Sequence, residues 1–429
     1  MLTRRNFLRS LTLSGTGFLL RGRLLANVIS ELSEAMVPIR RLTQGPKFHW
    51  FGYYDKLEFD SSDRFVLCNE VDFEGRSPTA DDRIRVGMVD LEDGDRWIDL
   101  GKSDAWGWQQ GCMLQWRPGD KREVIWNDRE DNSFISRIKD VDTGSERVLP
   151  FPVYALSPDG KWAVTLDFGR LQTVRPGYGY QGVPDKYANE FAPEDSGIWR
   201  VNLETGASTL IVSLADLARI PFNGLDVVDR PHWVNHLLIS PDSQRLVFLH
   251  RRRLKAPDDP TFSTGNRLVT RMMTVNLDGT DLHVIDPSGF TSHFIWRDPE
   301  HICAWTKPAG HEHGFYLLRD HTNEVTPVGA GIMTENGHNT YLSTGNGREW
   351  ILNDTYPLGP KRQQTPYLFH VPTGERIDLG HFHSPSAYAD EWRCDTHPRS
   401  SRDGTKVVID SPHDGCGRQL WLLDISHIV

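Results

Sequence analysis

Seven short units, each a Pro, Asp or Gly turn followed by a β-branched or aromatic run, predict an all-β, seven-bladed β-propeller. The 37 Gly and 26 Pro supply turns along the whole chain, and 14 Trp, 19 Phe and 11 Tyr supply a core. That balance favours strands over helices. A third observation is positional: a polar or aromatic residue recurs where each unit begins.

The units follow in order. Asp60-Ser61-Ser62-Asp63 precedes RFVLCNEV, Arg117-Pro118-Gly119-Asp120 precedes REVIWND, and Ser157-Pro158-Asp159-Gly160 precedes KWAVTLD. Ser240-Pro241-Asp242-Ser243 precedes QRLVFLH, and Arg297-Asp298-Pro299-Glu300 precedes HICAWTK. Thr344-Gly345-Asn346-Gly347 precedes REWILND, and Arg402-Asp403-Gly404 precedes TKVVIDS. The units lie roughly 40–80 residues apart, the spacing of four-stranded propeller blades. A blade buries its faces only against its neighbours, so the ring must close. The last unit holds three strands, and VPIRRLTQ near the N-terminus is expected to supply the fourth. The propeller is therefore assigned to 36–429. Two insertions stand out, a Gly/Tyr-rich one at 172–193 and one at 251–266 that opens on Arg251-Arg252-Arg253. Long connections on a propeller commonly lie on a binding face.

Residues 1–35 are read as a twin-arginine export signal and short linker. Arg4-Arg5 followed by Phe7-Leu8 carries the signal, and an ordinary secretory n-region is the alternative. The apolar stretch from Leu11 to Leu20 is too short to span a bilayer. A periplasmic or extracellular protein with no membrane span is expected. Five scattered cysteines, none in a CxxC pair, argue for buried thiols over a disulfide framework. A net charge of −10 argues against a nucleic-acid partner.

The start of each blade's first strand faces one mouth of the central channel. Around the ring this position is held by Tyr53 or Tyr54, Gln109 or Gln110, Tyr154, His236, His293, His338 and His397. Channel filler would be Val, Ala or Gly. Gathered imidazoles can hold a divalent ion, and one outside the ligand set can act as a general base. His311-Glu312-His313-Gly314 lacks the helical zinc-protease spacing and reads as a loop, and His381-Phe382-His383 reads as a strand end.

The stretch 235–426 resembles the oligogalacturonate lyases, seven-bladed propellers that cleave pectic oligomers by β-elimination. NHLLISPD and VFLH, RMMTVNLDGT, SHFIW, GHNTY, THPRSSRDG and LWLLDIS carry the likeness. It implies His236 as the proton-abstracting base, helped by an upstream arginine, for which Arg230 is the choice over Arg219 and Arg271. It also implies manganese on His293 and His397, with a glutamine and a second histidine where this chain has Cys394 and Arg399. Either His338 and Asp395 complete that site, or the metal is absent and Arg399 lends a fixed positive charge instead. An acidic oligosaccharide is the implied substrate. Tyr154 is the further catalytic candidate, with Tyr53, Tyr54, Gln110 and Arg271 as substrate-binding candidates and His293, His338 and His397 as metal ligands. Two other readings stand beside this one. One is a non-catalytic TolB-like propeller that binds an envelope partner. The other is a glycoside hydrolase using Asp55, Asp395 or Glu335.

Overall fold

The computed structural model describes residues 32–119, 122–222, 230–253, 268–343 and 348–429. The paired arginines of the expected signal, the turn at 344–347 and most of the 251–266 insertion lie outside them. Among the described residues no helix is long and apolar enough to cross a membrane.

The fold is an all-β propeller. Among the described residues, seven four-stranded antiparallel sheets, here I to VII, follow one another along the chain. Sheets I to VI span 48–103, 115–149, 155–213, 233–289, 294–328 and 340–378. Sheet VII takes three strands from 399–424 and its fourth from Ile39–Arg41, paired Ile39 to Leu423 and Arg41 to Trp421. The chain's start thus closes its end, as the VPIRRLTQ segment predicts. A small extra sheet joins Glu34–Ala35 and Gln363–Gln364 to Gly380–His383. It absorbs His381, whose Nδ1 pairs with the Thr365 hydroxyl at 2.8 Å.

One turn chemistry recurs in the sheets. In sheet III the Ser157 hydroxyl donates to Asp159 and accepts the Trp162 N–H at 2.9 Å, and Gly160 sits at φ +69°. Sheet IV repeats it, with the Arg245 N–H on Ser240 at 2.9 Å and Ser243 at φ 62°. Sheet VII does the same, with the Lys406 N–H on Ser401 at 3.0 Å and Gly404 at φ +70°. A short side-chain acceptor replaces the backbone partner, and the left-handed residue reverses the chain into the second strand. Neighbouring sheets then pack face to face. Trp50, Trp106, Trp108 and Trp126 fill one such interface between sheets I and II. Truncating an aromatic buried like these typically costs about 3–5 kcal/mol. Cys68, Cys112, Cys303 and Cys394 are buried free thiols and Cys416 is exposed, so no disulfide forms.

The insertion at 172–193 folds onto the ring. Helix α1 (Phe168–Val174) is capped by Asp167, which accepts the Arg170 N–H at 2.9 Å. The GYGY segment returns over the helix start. A Cβ on Gly179 would stand 2.2 Å from Phe168 O and Gln172 N, so only glycine fits there. Buried Arg170 ties the insertion down through Asp185 and the carbonyls of His232, Tyr187, Glu190 and Phe191.

Candidate active site

The four recurring histidines meet. Ring centroids lie 5.6 Å apart for His236 and His293, and 4.3 Å for His293 and His338. They lie 4.3 Å apart for His338 and His397, and Tyr53 bridges back from His397 at 5.3 Å to His236 at 4.9 Å. His236 sits where the pairing of sheet IV's first two strands shifts, between Asn235 and Leu238, at φ 52°. His397 is held at φ 38°. A left-handed non-glycine residue costs on the order of 1–3 kcal/mol, and such strain clusters at functional sites.

The hydrogen bonds separate the roles. The Tyr53 hydroxyl is bonded to the His236 ring, and Tyr154 Oη accepts both the His236 N–H at 3.0 Å and Gln110 Nε2 at 2.7 Å. Tyr154 and Gln110 thus fix the backbone of His236. Tyr54 is turned into the fold, donating to Phe294 O at 2.9 Å and accepting the Phe294 N–H at 3.2 Å. Burial first, then the Arg251 charge and its imidazole neighbours, hold the His236 pKa well below the ordinary value. Burial and His338 do the same to His293 and His397. His338 goes the other way: burial pulls it down, but the Asp354 carboxylate against its Nδ1 at 2.9 Å outweighs that and raises it.

Ligand atoms of His338, Asp395 and His397 all lie within 4.8 Å of one another. The Nε2 atoms of His338 and His397 are buried with no hydrogen-bond partner. Two orphaned imidazole nitrogens beside a carboxylate suit a divalent ion. Asp354 orients His338 through Nδ1 and accepts the Thr396 hydroxyl, the second layer that metal-bound imidazoles use. Among the described residues Asp395, not His293, completes this group. His293 Nδ1 faces Asn336 Oδ1 at 3.0 Å. Burial pushes the Cys394 thiol up, away from a thiolate ligand. Asp354→Asn is expected to weaken binding of Mn²⁺ about 10–100-fold in a calorimetric titration. Unchanged affinity would remove Asp354 from this supporting role.

The charges of three arginines, Arg251, Arg175 and Arg393, bear on the histidines. Arg251 lies near the end of the second strand of sheet IV, Arg245–Arg253, and is buried with its Nε unpartnered. No carboxylate lies within ion-pair range of it among the described residues. Burial and then Arg175 bring its pKa down to about 10. Arg175 follows α1, and its Nη2 lies 3.5 Å from the Tyr178 hydroxyl. Arg393 reaches the same hydroxyl from the far side at 2.7 Å while its Nε bonds Asp395 at 2.8 Å.

Other candidates fall elsewhere. Arg399 is clamped by Glu58 at 2.8 Å and Asp410 at 3.0 Å, so its charge is balanced inside the fold instead of standing free for a substrate. It lines a cavity of about 470 Å³ with Glu58, Pro158, Pro241 and Ser401. That is the mouth where the Ser-Pro-Asp turns lie. Arg271 caps helix α2 (Leu214–Arg219), bonding the carbonyls of Leu217, Ile220 and Pro221, and donates to His250 Nδ1 at 3.0 Å. Arg219 is exposed and paired with Glu194 and Asp216. Arg230 is half-buried on the segment entering sheet IV. The Arg251-Arg252-Arg253 cluster, expected to open a loop, is buried strand. Asp55 is paired with Lys56 and Asp395 with Arg393, while Glu335 is exposed. The two free carboxylates that glycoside hydrolysis needs are not assembled from these three.

Sequence reasoning passed over Tyr178, Arg175, Arg393 and Asp354. A signal for the first two existed in Arg175-Pro176-Gly177-Tyr178-Gly179-Tyr180, where glycines on both sides force a tight backbone beside an arginine.

No family model and no curated protein matches the chain. Among solved structures, the oligogalacturonate lyase of Vibrio parahaemolyticus is similar, with a TM-score of 0.62. It is 16% identical and covers 91% of this chain and 96% of that one. An oligogalacturonate lyase in complex with manganese also gives 0.62, at 15% identity over 91% and 94%. At such identity the likeness establishes the propeller fold alone.

Proposed function

We propose that this protein is a polysaccharide lyase that cleaves a uronate-containing oligosaccharide by β-elimination at the histidine-lined mouth. The observation that carries the reading is the buried Tyr53–His236 pair beside Arg251, a cation with no carboxylate of its own among the described residues. A uronate carboxylate placed against Arg251 and Arg175 would be neutralised, which makes the neighbouring C5 proton removable. Tyr53 and His236 then handle proton movement at the glycosidic side. A divalent ion held by His338, Asp395 and His397 would add positive charge for the same carboxylate. The likeness to oligogalacturonate lyases supports this reading of the ring. We further propose export by the twin-arginine segment, which places the enzyme where acidic glycans are met.

The test is incubation with oligogalacturonate, ulvan and other uronic glycans, following ultraviolet absorbance of the unsaturated product and its mass. Elimination adds no water, whereas hydrolysis does. Turnover lost in His236→Ala supports the reading. No unsaturated product from any glycan would sink it.

A further inference from the structure

We propose that Tyr178 is the base of this reaction: its phenolate oxygen, gripped by Arg393 and Arg175, removes the C5 proton. The inference rests on the lyase reading above and names a residue for its first step. The GYGY segment delivers the phenol to one place. Gly177 is at φ +90° with its Cβ position 2.9 Å from Glu391 Cβ, and Gly179 has no room for any side chain. Gly107 leaves only 2.7 Å and 2.9 Å from its Cβ position to the carbonyls of Gly177 and Gly179. The buried hydroxyl meets Arg393 Nη2 at 2.7 Å and Arg175 Nη2 at 3.5 Å, and Arg175 lies over the ring at 4.6 Å.

Charge decides which form persists. The groups bearing on the phenol are the cations Arg393, Arg175 and Arg251, the carboxylate Asp395, the imidazole of His338, and the phenols Tyr53, Tyr154 and Tyr356. Burial would push the Tyr178 phenol up, yet Arg393 and Arg175 reverse it and bring it down to about 7. His236 is in the opposite position. To accept a proton it must become a cation in a buried site beside Arg251, and its ring is already engaged by Tyr53. Burial, then the neighbouring phenols, keep Tyr53 protonated. With a hydrogen on the bonded His236 nitrogen, the Tyr53 proton is free to point at substrate.

The step balances. The C5–H bond breaks to the Tyr178 oxygen, and its electron pair becomes the C4–C5 double bond. The C4–O4 bond breaks, and O4 leaves with its electrons and takes the Tyr53 proton. Solvent then carries the Tyr178 proton away and restores that of Tyr53. No oxidant or reductant is needed.

The experiment is an ultraviolet difference titration of tyrosinate in the full chain and in Tyr178→Phe, with initial rates on the best uronate glycan. A tyrosine ionising near neutral pH, absent in Tyr178→Phe, is expected. With it should go a fall in kcat of about 10²–10⁴-fold and little change in KM. The native rate should rise as pH increases through about 7. No tyrosine titrating near neutrality, or a Tyr178→Phe enzyme within a few-fold of native, overturns the base role while leaving the lyase reading intact. A native protein that eliminates no uronate overturns both.

Discussion

Arg251→Met is expected to cut kcat/KM on a uronate glycan by about 10²–10³-fold while leaving the protein as stable as before, or more so. The two halves have one cause. Arg251 is buried, lacks a counter-ion among the described residues and holds an unpartnered Nε. A buried charge left without a partner is costly to fold, typically by several kcal/mol. Methionine has a similar reach, adapts to irregular space and carries no charge. A cation held at such a cost with no carboxylate partner among the described residues is, on the lyase proposal, one whose partner arrives with the substrate.

 

The charge also bears on His236, whose pKa it helps to hold down after burial. In Arg251→Met the His236 pKa should therefore move up, visible in the ring-proton shifts on titration. Rates, thermal melts and that titration check the expectation. An unchanged rate, or a rate lost only in step with unfolding, would show that Arg251 is a packing residue.

The fold was legible because its signals are local. A serine or aspartate, a turn and a left-handed residue lie within a few positions of each other, as at Ser157, Ser240 and Ser401. The histidine address was legible for a related reason. Equivalent positions of successive first strands converge on the channel, so residues far apart in sequence meet by repetition, as His293 and His338 do. Charge partners carry no such signal. Arg399 meets Glu58 across 341 positions of chain, and Arg393 meets Tyr178 across 215. Only the closed ring brings those pairs together. Reading Arg399 as a free cation and missing Arg393 are thus one failure: neither counter-ion can be found from neighbours in sequence.

Arg399→Ala is expected to destabilise the protein by about 3–5 kcal/mol, as removing one partner of a buried ion pair does. Its guanidinium holds two buried carboxylates, Glu58 and Asp410, and lies over the Phe51 ring at 4.9 Å. Even with Arg399 in place, burial raises Glu58 to about 7 and raises Asp410 as well. A carboxyl raised in the folded state holds a proton that the unfolded chain has released, so stability falls as pH rises from the ordinary carboxylate range to about 7. Without the arginine both carboxyls rise further, and the fall becomes steeper and extends to higher pH. Denaturant midpoints at about pH 5 and pH 8 should therefore show the larger loss at the higher value. The turnover of whatever protein remains folded should change far less than in Arg251→Met, because the Arg399 charge is already taken up by Glu58 and Asp410. A variant that keeps its stability but loses kcat would put Arg399 back at the chemistry.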